Sequence, residues 1–179
     1  MRAGARVGPG CSVAGLRSGL MASTPDVETV ERVIAAPPDK IFELLADPRR
    51  HRDIDGSGTV RGVKGGAADR PQRLALGSRF GMSMKLGIPY SMVSEVIEFE
   101  DGRRIAWQTR PPIGGRLAGG RIWRYELEPV EAGTRVRESW DISQEKIKAV
   151  VRPARKRTRE AMERTLARIE ELVTTTAQS

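Results

Sequence analysis

Apolar residues recur along this chain with two different periods, and the change of period divides it. Up to about residue 142 they alternate with polar residues in short runs, the pattern of strands with one covered face. From Gln144 to Val173 they fall every three or four positions: Ile147, Val150, Val151, Ala154, Thr158, Ala161, Met162, Thr165, Leu166, Ile169, Leu172 and Val173. That spacing predicts a long helix with one apolar stripe, its other faces carrying Arg, Lys and Glu. Such a stripe needs a broad surface to lie on, and the preceding strands supply one as a curved sheet. Pro153 has no N–H to donate and clashes with the preceding turn. It predicts a loose turn before that point and a firm helix after it.

The first strand is predicted over residues 26–35, where Val27, Val30, Val33 and Ile34 alternate with charge. Pro37-Pro38-Asp39 then opens a helix whose buried face is Ile41, Phe42, Leu44 and Leu45, and Asp47-Pro48 ends it. Residues 49–54 form a second short helix at the corner. Further strands follow over 59–63, 74–86, 90–99, 104–109, 121–129 and 134–142, joined by Gly-, Pro- and Asp-rich turns. The Asp101-Gly102 pair is the strongest hairpin signal among them. About seven strands with no alternating crossover helices imply an antiparallel sheet and the α+β class. Two short helices follow the first strand, and one long helix closes the chain.

Composition narrows the function. The formal charge is +8, but the first twenty residues hold Arg2, Arg6 and Arg17 and no acid, leaving +5 for the rest. Acids and bases interleave there, so no nucleic-acid partner is expected. One cysteine, Cys11, and one histidine, His51, exclude an internal disulfide and a multi-histidine metal site. No metal and no cofactor is expected, and a reducing, cytoplasmic location fits. No run approaches the roughly 20 apolar residues of a membrane span. Residues 1–22 read as a disordered tail or upstream-start extension, 23–174 as one domain, and 175–179 as a short tail. A monomer or a homodimer is expected.

The candidate chemistry sits on the strands. Trp107, Trp123, Tyr125 and Trp140 belong to strands that should be neighbours. If they face inward, they line a pocket with Phe80, Met82, Met84 and, from the helix, Met162; the competing expectation is a filled core. Glu138 shares its strand face with Val136, Trp140 and Ile142, a costly place for a carboxylate unless it is paired or used. Arg124 is the structural partner that would neutralise it. His51 is the other proton-transfer candidate, although its Asp47-Pro-Arg-Arg-His-Arg-Asp surroundings are those of a polar corner. Ser57 lacks the spacing of a nucleophile elbow. The glycines at 114, 115, 119 and 120 fit no phosphate-binding fingerprint; the leading expectation is a floppy hairpin connection, and the functional alternative is a flap over a mouth with Ile113 and Leu117 as its apolar contacts.

Three stretches carry a resemblance to a known family: "VERVIAAPPDKIFELLADPRRH", "WRYELEPVEAGTRVRESWD" and the terminal "LARIEELV". Over residues 26–173 the chain resembles the START-like (SRPBCC) superfamily, which includes the polyketide cyclase/dehydrase and lipid-transport group. "HRDIDGSGTVRGV" and "LGSRFGMSMKLGIPY" are similar to an uncharacterised actinobacterial subgroup of it. The resemblance implies a helix-grip fold, the sheet curling around the long helix and leaving an apolar cavity. It implies a lipid- or polyketide-like ligand but no shared catalytic motif. The leading expectation is binding and transport of a small hydrophobic molecule. The rivals are a cyclase or dehydratase using Glu138 or His51 as acid/base, and an interaction module using the basic helix face of Arg155, Lys156, Arg157 and Arg159.

Overall fold

The computed structural model describes residues 26–64, 73–113 and 117–175. Its strands are β1 (Val27–Ile34), β2 (Val60–Lys64), β3 (Arg79–Leu86), β4 (Ile88–Glu100), β5 (Arg104–Arg110), β6 (Arg121–Val130) and β7 (Gly133–Asp141). They form one antiparallel sheet in the order β1-β7-β6-β5-β4-β3-β2. Each strand from β2 onward pairs with its successor, and β1 adds to the far side of β7. Register shifts between Val60 and Gly62 and between Val96 and Glu98 bend the sheet toward its inner face. β3 starts later than the alternation implied, because Leu74 is a buried loop residue whose N–H donates to the Ala46 carbonyl at 2.7 Å.

Helix α1 (Pro38–Ala46) begins on a proline, which fills a position where no N–H is needed, and buries Ile41, Phe42, Leu44 and Leu45. Asp47 ends it and caps the next turn, its carboxylate accepting from the Arg49 N–H at 2.9 Å. A 3-10 turn (Pro48–Arg50) leads into α2 (His51–Ile54). At the other end of the chain, α3 (Lys148–Val151) and a 3-10 turn containing Pro153 precede α4 (Arg155–Thr175). The apolar stripe is buried mainly beyond the proline, where Ala161, Met162, Thr165, Leu166 and Ile169 face the sheet; ahead of it Val151 alone of the stripe is buried. Ile147 and Val150 stand exposed ahead of it. The reason is the break itself, which takes the preceding turn off the axis of α4.

Charge fixes α4 across the sheet. Glu28, buried on β1, accepts from Arg155 and, at 2.6 Å, from Arg159 in the first turns of the helix. Burial raises the Glu28 pKa, but the hydrogen bonds from Arg155 and Arg159 outweigh it and hold the carboxyl below its ordinary value. Further along, Arg32 of β1 pairs with Glu170 at 2.5 Å. The loop after α2 also clamps the helix: the Gly56 N–H donates to Thr165 Oγ1 at 3.0 Å, and Arg164 donates to the Gly56 carbonyl at 2.8 Å. Only glycine fits there, since a β-carbon would lie 2.1 Å from the Ala161 carbonyl oxygen.

One half of the space between sheet and α4 is packed solid by Ile34, Ile41, Phe42, Leu45, Val136, Leu166 and Ile169. The other half is not filled.

Candidate functional site

The unfilled half is a cavity of about 320 Å³ between the inner face of the sheet and α4. Strand alternation builds its first wall, since Phe80, Met82, Met84 and Leu86 of β3 all point the same way. Trp107 of β5 with Trp123 and Tyr125 of β6 form the second. Ala161, Met162 and Thr165 of α4 form the roof, and His51 and Ile54 of α2 close one end. The volume lies in the range of small-molecule sites, and most of the exposed lining is apolar, with polar side chains such as Ser94, Thr109 and Arg157 among it.

The polar groups are placed with little redundancy. Tyr125 and Glu138 are directly opposed on β6 and β7, and the Tyr125 hydroxyl donates to Glu138 Oε1 at 2.8 Å. Both side chains are buried, and Glu138 Oε2 meets no hydrogen-bond partner among the described residues. Burial raises the Glu138 pKa to about 8; the Tyr125 hydrogen bond opposes the rise and the Asp55 charge adds to it. Burial, followed by the Glu138 charge, pushes Tyr125 well above its ordinary value. At neutral pH Glu138 is therefore a protonated acid with one oxygen free to hydrogen-bond. Arg124 does not neutralise it: that side chain lies on the outer face and pairs with Glu98 at 2.6 Å.

His51 departs from the polar corner its neighbours suggested. Its ring is buried, stacks on Trp107 with centroids 4.9 Å apart and meets Phe80 edge-on at 5.4 Å. Burial lowers its pKa, so the imidazole is neutral. Nε2 lies 2.9 Å from the Leu45 carbonyl oxygen, which requires the proton on Nε2 and leaves Nδ1 as the acceptor. Trp107 in turn lies 5.6 Å from the Tyr125 ring, so His51, Trp107, Tyr125 and Glu138 form one contiguous wall. Ser57 serves its own turn, donating to Asp55 Oδ1 at 2.6 Å.

Three residues expected on the pocket wall lie elsewhere. Trp140, opposite Trp123 on β7, is packed into the solid core beside Ile142 and Val151 and does not reach the cavity. Ile113 and Leu117 are 90% and 79% exposed and do not cover the cavity. They sit on a Pro/Gly connection whose apolarity does not bring it inward. Residues 114–116, the centre of the expected flap, lie outside the described residues; Gly119 is tied down, its N–H donating to Glu145 Oε1 at 2.8 Å.

The sequence reading passed over Tyr90, Met92 and Ser94 of β4, which share the cavity with their β3 partners Met84, Met82 and Phe80. The signal was available: the Gly87 turn fixes the register, and opposed residues share a face. Arg121, Arg157 and Arg164 also border the cavity, and nothing local marks them.

A model of the family described as "Polyketide cyclase / dehydrase and lipid transport" matches residues 27–174. The chain belongs to this family. Among curated sequences it is 41% identical over 111 residues to the uncharacterized protein Rv0088 of Mycobacterium tuberculosis strain H37Rv, covering 60% of this chain and 44% of that protein. A second M. tuberculosis protein, MT0096 of strain CDC 1551, is 40% identical over the same shares. The aligned region thus spans less than half the length of these relatives. Among solved structures, protein CV1439 of Chromobacterium violaceum aligns with a TM-score of 0.66 at 18% identity, covering 84% of this chain and 98% of that one. The AHSA1-like protein of Aeromonas hydrophila aligns at 0.58 and 15%, covering 86% and 95%. At those identities the likeness shows the fold: this polyketide cyclase/dehydrase and lipid-transport family member is a helix-grip protein.

Proposed function

We propose that this family member binds one small hydrophobic molecule, lipid- or polyketide-like, in the cavity between sheet and α4, with Glu138 and Tyr125 anchoring a single polar group of the ligand. The observation that supports this most is the Glu138 oxygen, buried on an apolar wall without a partner. Such an atom costs about 1–3 kcal/mol in the free protein. A ligand carbonyl that accepts from the protonated carboxyl removes that cost, while Met82, Met84 and Trp107 take up its apolar body.

The test is native mass spectrometry of the purified protein with organic extraction of whatever co-purifies, followed by titration read through tryptophan fluorescence. A stoichiometric apolar adduct, lost or weakened about tenfold in Glu138→Leu, supports the reading. An empty mass together with no response to fatty acids or aromatic ketones would sink it.

One observation favours an enzymatic reading as second. A carboxyl with its pKa near 8, on the same cavity wall as an unused imidazole nitrogen, is suited to moving a proton to or from a carbonyl substrate. Under that reading Glu138 gives or takes the proton and the apolar walls fold the substrate. A loss of turnover in Glu138→Gln with retained ligand affinity would separate it from simple binding.

A further inference from the structure

The cavity reaches the surface where Leu86 and Tyr90 lie, and that end of the sheet has an unusual surface. The β-register places the β3–β4 tip, the β5–β6 connection and the β7–α4 connection at one end. Exposed large apolar side chains concentrate there: Leu86, Ile88 and Tyr90 on the tip, Ile113 and Leu117 on the second, Ile147 and Val150 on the third. Ile88 and Val150 are 79% and 73% exposed. The β3–β4 tip also projects, because Ile88–Met92 run beyond Val93, the last residue of β4 paired to β5. At about 3.3 Å per residue that is roughly 16 Å of hairpin.

The charge around these residues is mainly positive. Lys85 sits on the projecting tip, and Lys156 and Arg157 are exposed on the first turns of α4, with Glu160 one turn further on. The other neighbouring acids are engaged within the fold. Asp26 is held by Lys148 at 2.9 Å and Arg152 at 2.8 Å, Glu145 is buried against Arg121 at 3.0 Å, and Asp141 accepts from the Ser143 N–H at 2.7 Å.

We infer that this end of the molecule docks on an anionic lipid bilayer, the Leu86/Ile88 tip and Val150 entering the apolar boundary while Lys85, Lys156 and Arg157 meet the head groups. Apolar anchors ringed by cations are the composition such a surface selects. The arrangement turns the cavity opening toward the membrane, so a ligand passes between bilayer and cavity without crossing water. The docking surface itself does not depend on the ligand-binding reading; only that last consequence rests on it.

The test is co-sedimentation of the full chain with vesicles of equimolar phosphatidylglycerol and phosphatidylcholine, beside pure phosphatidylcholine. Binding to the anionic vesicles is expected, weakening with salt and by about fivefold for each of Lys85→Glu and Lys156→Glu. The pair Ile88→Ser and Val150→Ser should reduce it by roughly tenfold or more. Neither of those residues lines the cavity, so fluorescence titration with a soluble fatty acid should be unchanged in that variant. Unchanged vesicle binding in it would overturn the proposal, as would no binding, or equal binding to both vesicle types. A concentration-dependent dimer dissolved by the same pair, seen by light scattering, would assign the surface to a second copy instead. Loss of fatty-acid binding in the wild type with vesicle binding intact would strike the cavity reading and leave the docking surface standing.

Discussion

Removing the ionisable carboxyl of Glu138 should change how stability depends on pH. The group ionises near 4.5 when unfolded and near 8 when buried. Between those values the folded protein holds a proton that the unfolded chain has released, so stability falls as pH rises and levels off above 8. The full shift corresponds to about 5 kcal/mol, at about 1.4 kcal/mol per unit. His51 acts oppositely: burial lowers its pKa below 6.5, so its contribution rises with pH up to 6.5 and is constant above. The depressed carboxyls Asp26, Glu28, Asp47 and Glu98 ionise lower still. The interval from 6.5 to 8 therefore isolates Glu138. Across it the wild type should lose about 1.5–2 kcal/mol, which for a domain of this size lowers Tm by about 3–8 °C.

Glu138→Gln keeps the acceptor for Tyr125 and puts an N–H where the carboxyl proton was. It should be level across this interval and more stable than the wild type above pH 8. The assay is thermal unfolding by circular dichroism at half-unit pH steps, with both proteins in the same buffers. A wild type without the downward slope, or a variant that keeps it, would refute the reasoning, because the carboxyl would then not be buried as an acid.

Gly56→Ala should lower Tm, since its β-carbon would meet the α4 main chain at 2.1 Å and 2.5 Å; a cost of about 1–3 kcal/mol, read by denaturant unfolding, is expected. Glu28→Gln should destabilise by about 1.5–3 kcal/mol at pH 7 by loosening the start of α4. That deficit should shrink in acid, because the wild-type contribution is complete above 4.5 and is lost as pH falls through the depressed value. Trp107→Ala should cost about 3 kcal/mol or more, and should release His51 from its stack so that the imidazole resonances titrate closer to 6.5 in NMR.

The parts legible in the sequence were those set by local period. Alternation from Phe80 to Leu86 showed one cavity wall, and the stripe from Ala161 to Ile169 showed the roof. Glu138 stood out because strand alternation made its position costly. What stayed hidden depends on register and on contacts across the fold. His51 lies in a polar run, and its pocket is made by Phe80 and Trp107, 29 and 56 positions later. Trp123 and Trp140 share a pattern and are paired across β6 and β7, yet Trp123 lines the cavity and Trp140 is buried in the core. Ile113, Leu117, Ile147 and Val150 read as inward contacts because they are apolar. Ile113 and Leu117 are exposed on a Pro/Gly connection, and Ile147 and Val150 lie ahead of the proline break, where the short α3 turns Val151 inward instead.

Those exposed residues and the buried carboxyl bear on one question, which is what the fold gains by not being optimally stable. A Leu or Gln at 138 would remove a pH-dependent cost of several kcal/mol in one step. An apolar end would be safer in water with Ile88 and Val150 made polar. Both costs fall on the cavity: one at its inner wall, the other at its opening. Costs at unrelated places would suggest accident, whereas two costs on one route are relieved by one event. On the proposed reading, a ligand carbonyl relieves the first and a lipid surface the second. The two are separable by pH, because the bond that protonated Glu138 donates to a carbonyl is lost as pH rises through about 8, weakening that ligand about tenfold per unit beyond it at most. Docking through Ile88, Val150 and the surrounding lysines and arginine does not involve Glu138. A ligand affinity that falls above pH 8 while vesicle binding holds would place the two sites on one path with two chemistries.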